Sequence, residues 1–121
     1  MRSSGRDRMQ ARATARKLLV QALYQWHIAR LPAAELAAQY ESSPDFAKAD
    51  RDYFDAALGA ICAEGCGIDA ELARHSDIEP SRLDPVEHAI LAIGLWELMA
   101  RPEVPFRVVI SEAVSLAKRF G

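Results

Sequence analysis

The segment that opens at Asp84-Pro-Val-Glu87 constrains this chain most. Asp84 is a helix-capping residue, Pro85 suits the first helical position, and Glu87 can reach back to close a capping box. Behind that start, Val86, Ile90, Ile93 and Trp96 fall on one helical face and Leu91, Leu95 and Leu98 on another. A helix apolar on most sides has to lie inside a core, so other helices must surround this one. It is expected to run from Pro85 to about Ala100.

The rest of the chain supplies those neighbours. Apolar residues recur at three and four residues, and no long stretch alternates polar and apolar. A first helix is expected from about Arg8 to Ala29, with Ala11, Ala15, Leu18, Ala22 and Trp26 as its stripe and Leu19 and Leu23 widening it. Leu31-Pro32 ends it, because proline disfavours a helical residue before it. A second helix fits Ala33 to Tyr40, followed by a turn at Glu41-Ser-Ser-Pro44. A third fits Ala49 to about Glu64, burying Tyr53, Phe54, Ala57, Leu58 and Ile61. Gly65 and Gly67 suggest its C-terminal cap. A short helix from Asp69 to Arg74 and a loop through Pro80 would follow. The connector Arg101-Pro-Glu-Val-Pro105 leads to a last helix starting near Pro105 or Phe106, with Val109, Ala113, Leu116 and Phe120 as its buried stripe. The expectation is an all-α domain, a compact bundle of five or six helices.

Size and composition agree. A chain of 121 residues, half of them hydrophobic and 26% charged, has globular make-up and length enough for one core without staples. Two cysteines exclude a disulfide scaffold and fit a reducing compartment. No apolar run approaches the roughly 20 residues of a membrane span. The polar, basic start is not a secretory signal. The expected location is the cytoplasm.

The net charge of −2 conceals an asymmetry. Residues 1–17 carry Arg2, Arg6, Arg8, Arg12, Arg16 and Lys17 against Asp7, a balance of +5; the remainder carries −7. Arg8, Arg12 and Arg16 are four apart and would line one strip of the first helix. Arginine forks match phosphate oxygens and stack on bases, so an anionic partner is indicated, RNA as much as DNA. A solvated basic tail is the alternative. Tyr24 and Trp26 lie further along the same helix. Aromatics beside a basic strip can stack unpaired bases, but Trp26 sits on the apolar stripe and reads better as core. Tyr24, off the stripe centre, suits a surface contact.

Other chemistry is poorly supported. Cys62 and Cys66 share a helical face and could form a metal half-site or redox pair, but His75 is the only nearby histidine, too few ligands for zinc. Inert thiols are the better reading. His27, His75 and His88 show no metal-type spacing. Neither a phosphate loop nor a nucleophile elbow is present. No catalytic residue, metal or cofactor is expected.

Three segments carry a family resemblance. Ala15-Arg-Lys-Leu-Leu-Val-Gln-Ala-Leu-Tyr-Gln-Trp26 resembles the first helix of the NusB family of bacterial transcription antitermination factors, and Asp84 to Leu98 resembles its central helix. Val104-Pro-Phe-Arg-Val-Val-Ile-Ser-Glu-Ala-Val-Ser-Leu-Ala-Lys-Arg-Phe-Gly121 is the most specific of the three. The resemblance spans about residue 10 to the end. It implies an all-helical fold of two small subdomains in residues 1–121; residues 1–10, by their charge, are expected to be a mobile basic tail. It implies binding to boxA-type nascent RNA, including ribosomal RNA leaders, together with NusE, a small-subunit ribosomal protein, in an RNA polymerase antitermination complex. The family's arginine-rich segment maps onto Arg12 and Arg16; Arg8 and Lys17 are shifted or additional basic residues. Its partner-binding tyrosine matches Tyr24, and a glutamate that faces the same partner matches Glu87, which could equally only close the capping box. Two departures stand out. Ala13-Thr14 replaces arginine seen in relatives, and the family's final helix does not follow Gly121. The uncovered apolar face is expected to lower stability or favour a homodimer. The alternative implied reading is the RNA-targeting N-terminal domain of a ribosomal RNA cytosine methyltransferase.

Overall fold

A computed structural model describes residues 5–63, 65–75, 79 and 82–120. Its elements are α1 (Gly5–Ala29), α2 (Ala33–Glu41), a 3₁₀ helix (Pro44–Lys48), α3 (Arg51–Ala63), α4 (Gly65–His75), α5 (Pro85–Ala100) and α6 (Phe106–Phe120). Among the described residues there is no strand, and no helix is long and apolar enough to cross a membrane. The all-α reading holds.

The α5 boundary forms as the sequence dictates. The Glu87 N–H donates to Asp84 Oδ1 at 2.8 Å, the Asp84 N–H donates to Glu87 Oε1 at 3.3 Å, and Pro85 takes the first helical position. The Glu87 N–H bond to its ionised form holds the Asp84 carboxyl below the usual carboxylate range.

The long α1 packs along α3 and α5, and it also touches α2 and α6. Ala15, Leu18, Leu19, Ala22 and Leu23 are buried there. The α1–α3 and α4–α6 halves share one continuous core, in which Trp96 of α5 meets the Tyr53 ring edge-on at 5.2 Å. That shared core is the platform on which both ends of α1 present their side chains.

Several details depart from expectation. The first helix begins at Gly5, ahead of the expected Arg8; Arg2 lies outside the described residues. Pro44–Lys48 winds into a 3₁₀ helix, which drives Phe46 edge-on against Phe54 at 5.3 Å. α3 starts at Arg51, not Ala49, and Asp50 just ahead of it caps the helix, its Oδ1 accepting from the Tyr53 N–H at 3.0 Å. Gly65 opens α4 instead of capping α3. No described glycine has a positive φ; that conformation belongs to Arg30, at 54°, where α1 stops. The Arg30 guanidinium lies 4.4 Å over the Trp26 ring, a cation–π contact that accompanies the left-handed residue.

The α5 face expected to be buried around Leu91 and Leu98 is open. Both are more than two-fifths exposed, as are Phe106, Ile110 and Val114 of α6. On α5 and α6 the sides that carry Glu97 and Glu112 turn toward α1, and both glutamates meet Arg16 there. By helical phase, Leu91 and Leu98 lie roughly 100–120° round α5 from Glu97, and Phe106 and Ile110 roughly 120–160° round α6 from Glu112, so these apolar sides are turned off the α1 side.

Candidate nucleic-acid interface

Arg8 and Arg12 sit on the first three turns of α1. Arg8 is exposed on the surface. Arg12 is partly exposed and lies between two carboxylates: Asp50 Oδ2 at 3.5 Å from its Nε and Glu103 Oε2 at 3.5 Å from its Nη2. Both contacts are long and open to solvent, so they hold the guanidinium weakly. Lys17 is half-buried one turn further on.

Arg16 does not belong to that strip. Its side chain is 3% exposed. Nε and Nη2 donate to Glu97 Oε1 and Oε2 at 2.6 and 3.0 Å, a bidentate pair. Nη1 stands 3.6 Å from Glu112 Oε2, and the guanidinium lies 5.3 Å over the Tyr53 ring. The Tyr53 hydroxyl donates to the same Glu97 oxygen. Burial alone would lower the Arg16 pKa, but the bond to Glu97 and the surrounding negative groups raise it. Burial pushes the Tyr53 hydroxyl up, against the pull of Arg16. A cation committed on both edges inside the protein cannot grip a phosphate. Arg16 is therefore withdrawn from the expected RNA contacts. The reason is that its Cβ lies at the border of the apolar stripe, where α5 presents a carboxylate.

Glu97 was the overlooked residue. It stands alone in the apolar run Ile93-Gly-Leu-Trp-Glu-Leu98 and is 1% exposed. A lone carboxylate in a central helix demands a buried cation, and that demand was the available signal.

Further along α1, Tyr24 is 45% exposed. It borders an apolar groove of about 500 Å³ with Val20, Ile28, Tyr40, Val86 and Phe120. Glu87 is exposed and follows Val86 directly, so the groove and the start of α5 adjoin. Glu87 also closes the capping box, so its structural role is real whatever else it touches. Trp26 is half-buried and packs on the core.

Among the described residues no three metal-ligating side chains come together. Cys62 is a free, half-buried thiol whose pKa burial pushes up to about 11, which makes it a poor nucleophile at neutral pH. The side chains of Cys66 and His75 lie outside the described residues. The histidines are less scattered than their spacing suggests: the His27 and His88 rings are 6.0 Å apart, and His88 Nε2 meets Asp69 Oδ1 at 2.5 Å.

Comparison with known proteins supplies the remaining information. The family model described as "NusB family" matches residues 13–121, which leaves Arg8 and Arg12 just ahead of the match. The chain is 42% identical over 111 residues to the transcription antitermination protein NusB of Alcanivorax borkumensis, covering 92% of this chain and 74% of that protein. It is 46% identical over 110 residues to the protein of the same name from Pseudomonas putida, covering 91% and 66%. With the Hahella chejuensis protein it shares 42% over 113 residues, covering 93% and 76%. The chain thus spans about two thirds to three quarters of the length of these relatives. With the match running over nine-tenths of its residues and over every helix of the core, the chain belongs to the NusB family.

Proposed function

We propose that this chain is a non-catalytic RNA-binding factor in transcription antitermination. The observation that carries the reading is the family membership over residues 13–121, with relatives named as antitermination proteins. Those names favour this role over the targeting domain of a methyltransferase. The RNA is of the boxA type, including ribosomal RNA leaders, and the protein partner is NusE within an RNA polymerase antitermination complex. Such a role belongs in the cytoplasm.

Two surfaces divide the work. Arg8 and Arg12, with Lys17 at the margin, place positive charge at the start of α1 for phosphate. The groove beside Tyr24, with Glu87 at its α5 end, suits a protein partner: an exposed tyrosine over an apolar floor is a frequent interface anchor. In the free protein the open α5–α6 face favours a homodimer.

A titration of boxA-type RNA at several salt concentrations, with and without NusE, tests the reading. Binding that weakens steeply with salt and tightens with NusE is expected. No binding to RNA at low salt, with NusE present, would overturn it.

A further inference from the structure

A second cavity, of about 280 Å³, opens between the start of α1, the connector before α6 and the first turns of α6. Val104, Pro105 and Val108 give it an apolar lining, joined by Met9 of α1. Two carboxylates look into it. Glu103 stands at the rim beside Arg12, and Glu112 stands at the inner end beside Arg16. From this arrangement we propose that the cavity binds an unpaired guanine base of the RNA.

The chemistry of each wall suits that ligand. A base has flat apolar faces and a polar edge. Val104, Pro105 and Val108 can cover one face, and the Arg12 guanidinium can stack near the other. The edge then meets carboxylate oxygens, which only accept hydrogen bonds. Guanine offers a ring N–H and an amino group side by side, matching the two oxygens of one carboxylate. Uracil flanks its single ring N–H with carbonyl oxygens that a carboxylate repels. Adenine and cytosine set their amino group beside a ring acceptor. An acidic slot therefore selects guanine.

The ion pairs leave the carboxylates room for this. Glu103 and Glu112 stand 3.5 and 3.6 Å from their arginines, and their side chains are 56% and 29% exposed. Neither is locked in the way that Glu97 is. The volume lies near the lower end of small-ligand clefts, roughly 300 Å³, which fits one base and little more. The cavity is continuous with the basic end of α1 through Arg12, so a nucleotide whose phosphate lies on that strip can turn its base inward. The proposal rests on the RNA-binding reading above and adds a base preference to it.

Two measurements test it. Titrating GMP into the protein should shift the backbone amide resonances of Val104 and Val108, whereas UMP should leave them in place. A uridine oligonucleotide with one central guanosine should bind about tenfold more tightly than the all-uridine oligonucleotide. That ratio should fall to about one in Glu112→Gln, and in Val108→Phe, which fills the cavity; Glu103→Gln, at the exposed rim, should lower it without risk to the fold. Circular dichroism controls for folding. Unmoved Val104 and Val108 amides under GMP, or equal affinity for the two oligonucleotides, would overturn the guanine site while leaving RNA binding intact. If neither oligonucleotide binds at low salt, the GMP titration alone decides the cavity, and the RNA reading stands or falls with the boxA-type titration in the presence of NusE.

Discussion

Arg12 and Arg16 lie one turn apart on α1 and have the same side chain, yet the protein uses them oppositely. Arg12 sits between two carboxylates at 3.5 Å with solvent around it. Arg16 is enclosed, paired at 2.6 Å and supported by a tyrosine hydroxyl bound to the same carboxylate. The first keeps a charge that an outside anion can share. The second spends its charge on holding α1 against α3, α5 and α6. A basic stripe read from spacing alone therefore overcounts the cations open to RNA, because one turn of helix is enough to pass from surface to core.

The sharpest way to break this contrast is to truncate both residues. Arg16→Ala strands the Glu97 carboxylate in the core and should cost ~3–5 kcal/mol, enough to unfold much of the population. Arg12→Ala should cost no more than about 1 kcal/mol. Urea denaturation of the two variants decides it; equal midpoints would show that Arg16 is not the structural residue of the pair.

The next test removes both charges. Arg16→Met with Glu97→Met should recover most of the stability lost in Arg16→Ala, since a buried pair and an apolar replacement are often close in energy. Failure of the double variant to recover would place the weight on Tyr53, whose hydroxyl would then lack its acceptor.

At the other end of α1, Tyr24→Asp should weaken NusE binding by about 30-fold, roughly 2 kcal/mol, as for an interface anchor. Its melting temperature should change little, because Tyr24 is already 45% exposed. Calorimetric titration checks the affinity, and normal binding would remove Tyr24 from the interface.

Smaller effects sharpen the outer strip. Arg8→Ala and Arg12→Ala should each reduce the slope of log affinity against log salt by about one. Arg16→Met/Glu97→Met should leave that slope unchanged. The smallest effect belongs to Asp84. Its folded pKa is depressed, so the stabilisation from its ionised form is present at neutral pH and is lost as pH falls through that lowered value. Asp84→Asn keeps an N-cap acceptor without that charge. The stability difference between the two proteins should therefore shrink toward acid; a constant difference would show that the charge contributes nothing.

These contrasts also explain which parts of the molecule the sequence discloses. The α5 start was readable because Asp84, Pro85 and Glu87 act within one turn. The stripes of α1 and α3 were readable because burial repeats at the helical period. The expected α3 start, at Ala49, falls two residues early: the apolar pattern does not tell Ala49 from Arg51, whereas Asp50 between them carries an acceptor for the Tyr53 N–H. Gly65 looked like a stop because glycine favours left-handed caps, yet here it adopts helical backbone. The candidate interface was half readable. Tyr24 shows itself by lying off the stripe, while the burial of Arg16 depends on Glu97, 81 residues away. No local window contains both. The open faces of Leu91 and Leu98 were hidden for a related reason, since periodicity reports which sides are apolar and not which neighbours arrive to cover them.

The 81-residue span from Arg16 to Glu97 sets a schedule for biosynthesis. A ribosome adding about 5–20 residues per second needs roughly 4–16 s to make Glu97 after Arg16. Over that interval α1 has neither its counter-ion nor the α5 surface it packs against. The newborn helix is then a basic, apolar segment without a settled place, the kind of segment that chaperones bind. A codon change that slows synthesis between α3 and α5 would lengthen that exposure without altering one residue of the finished protein.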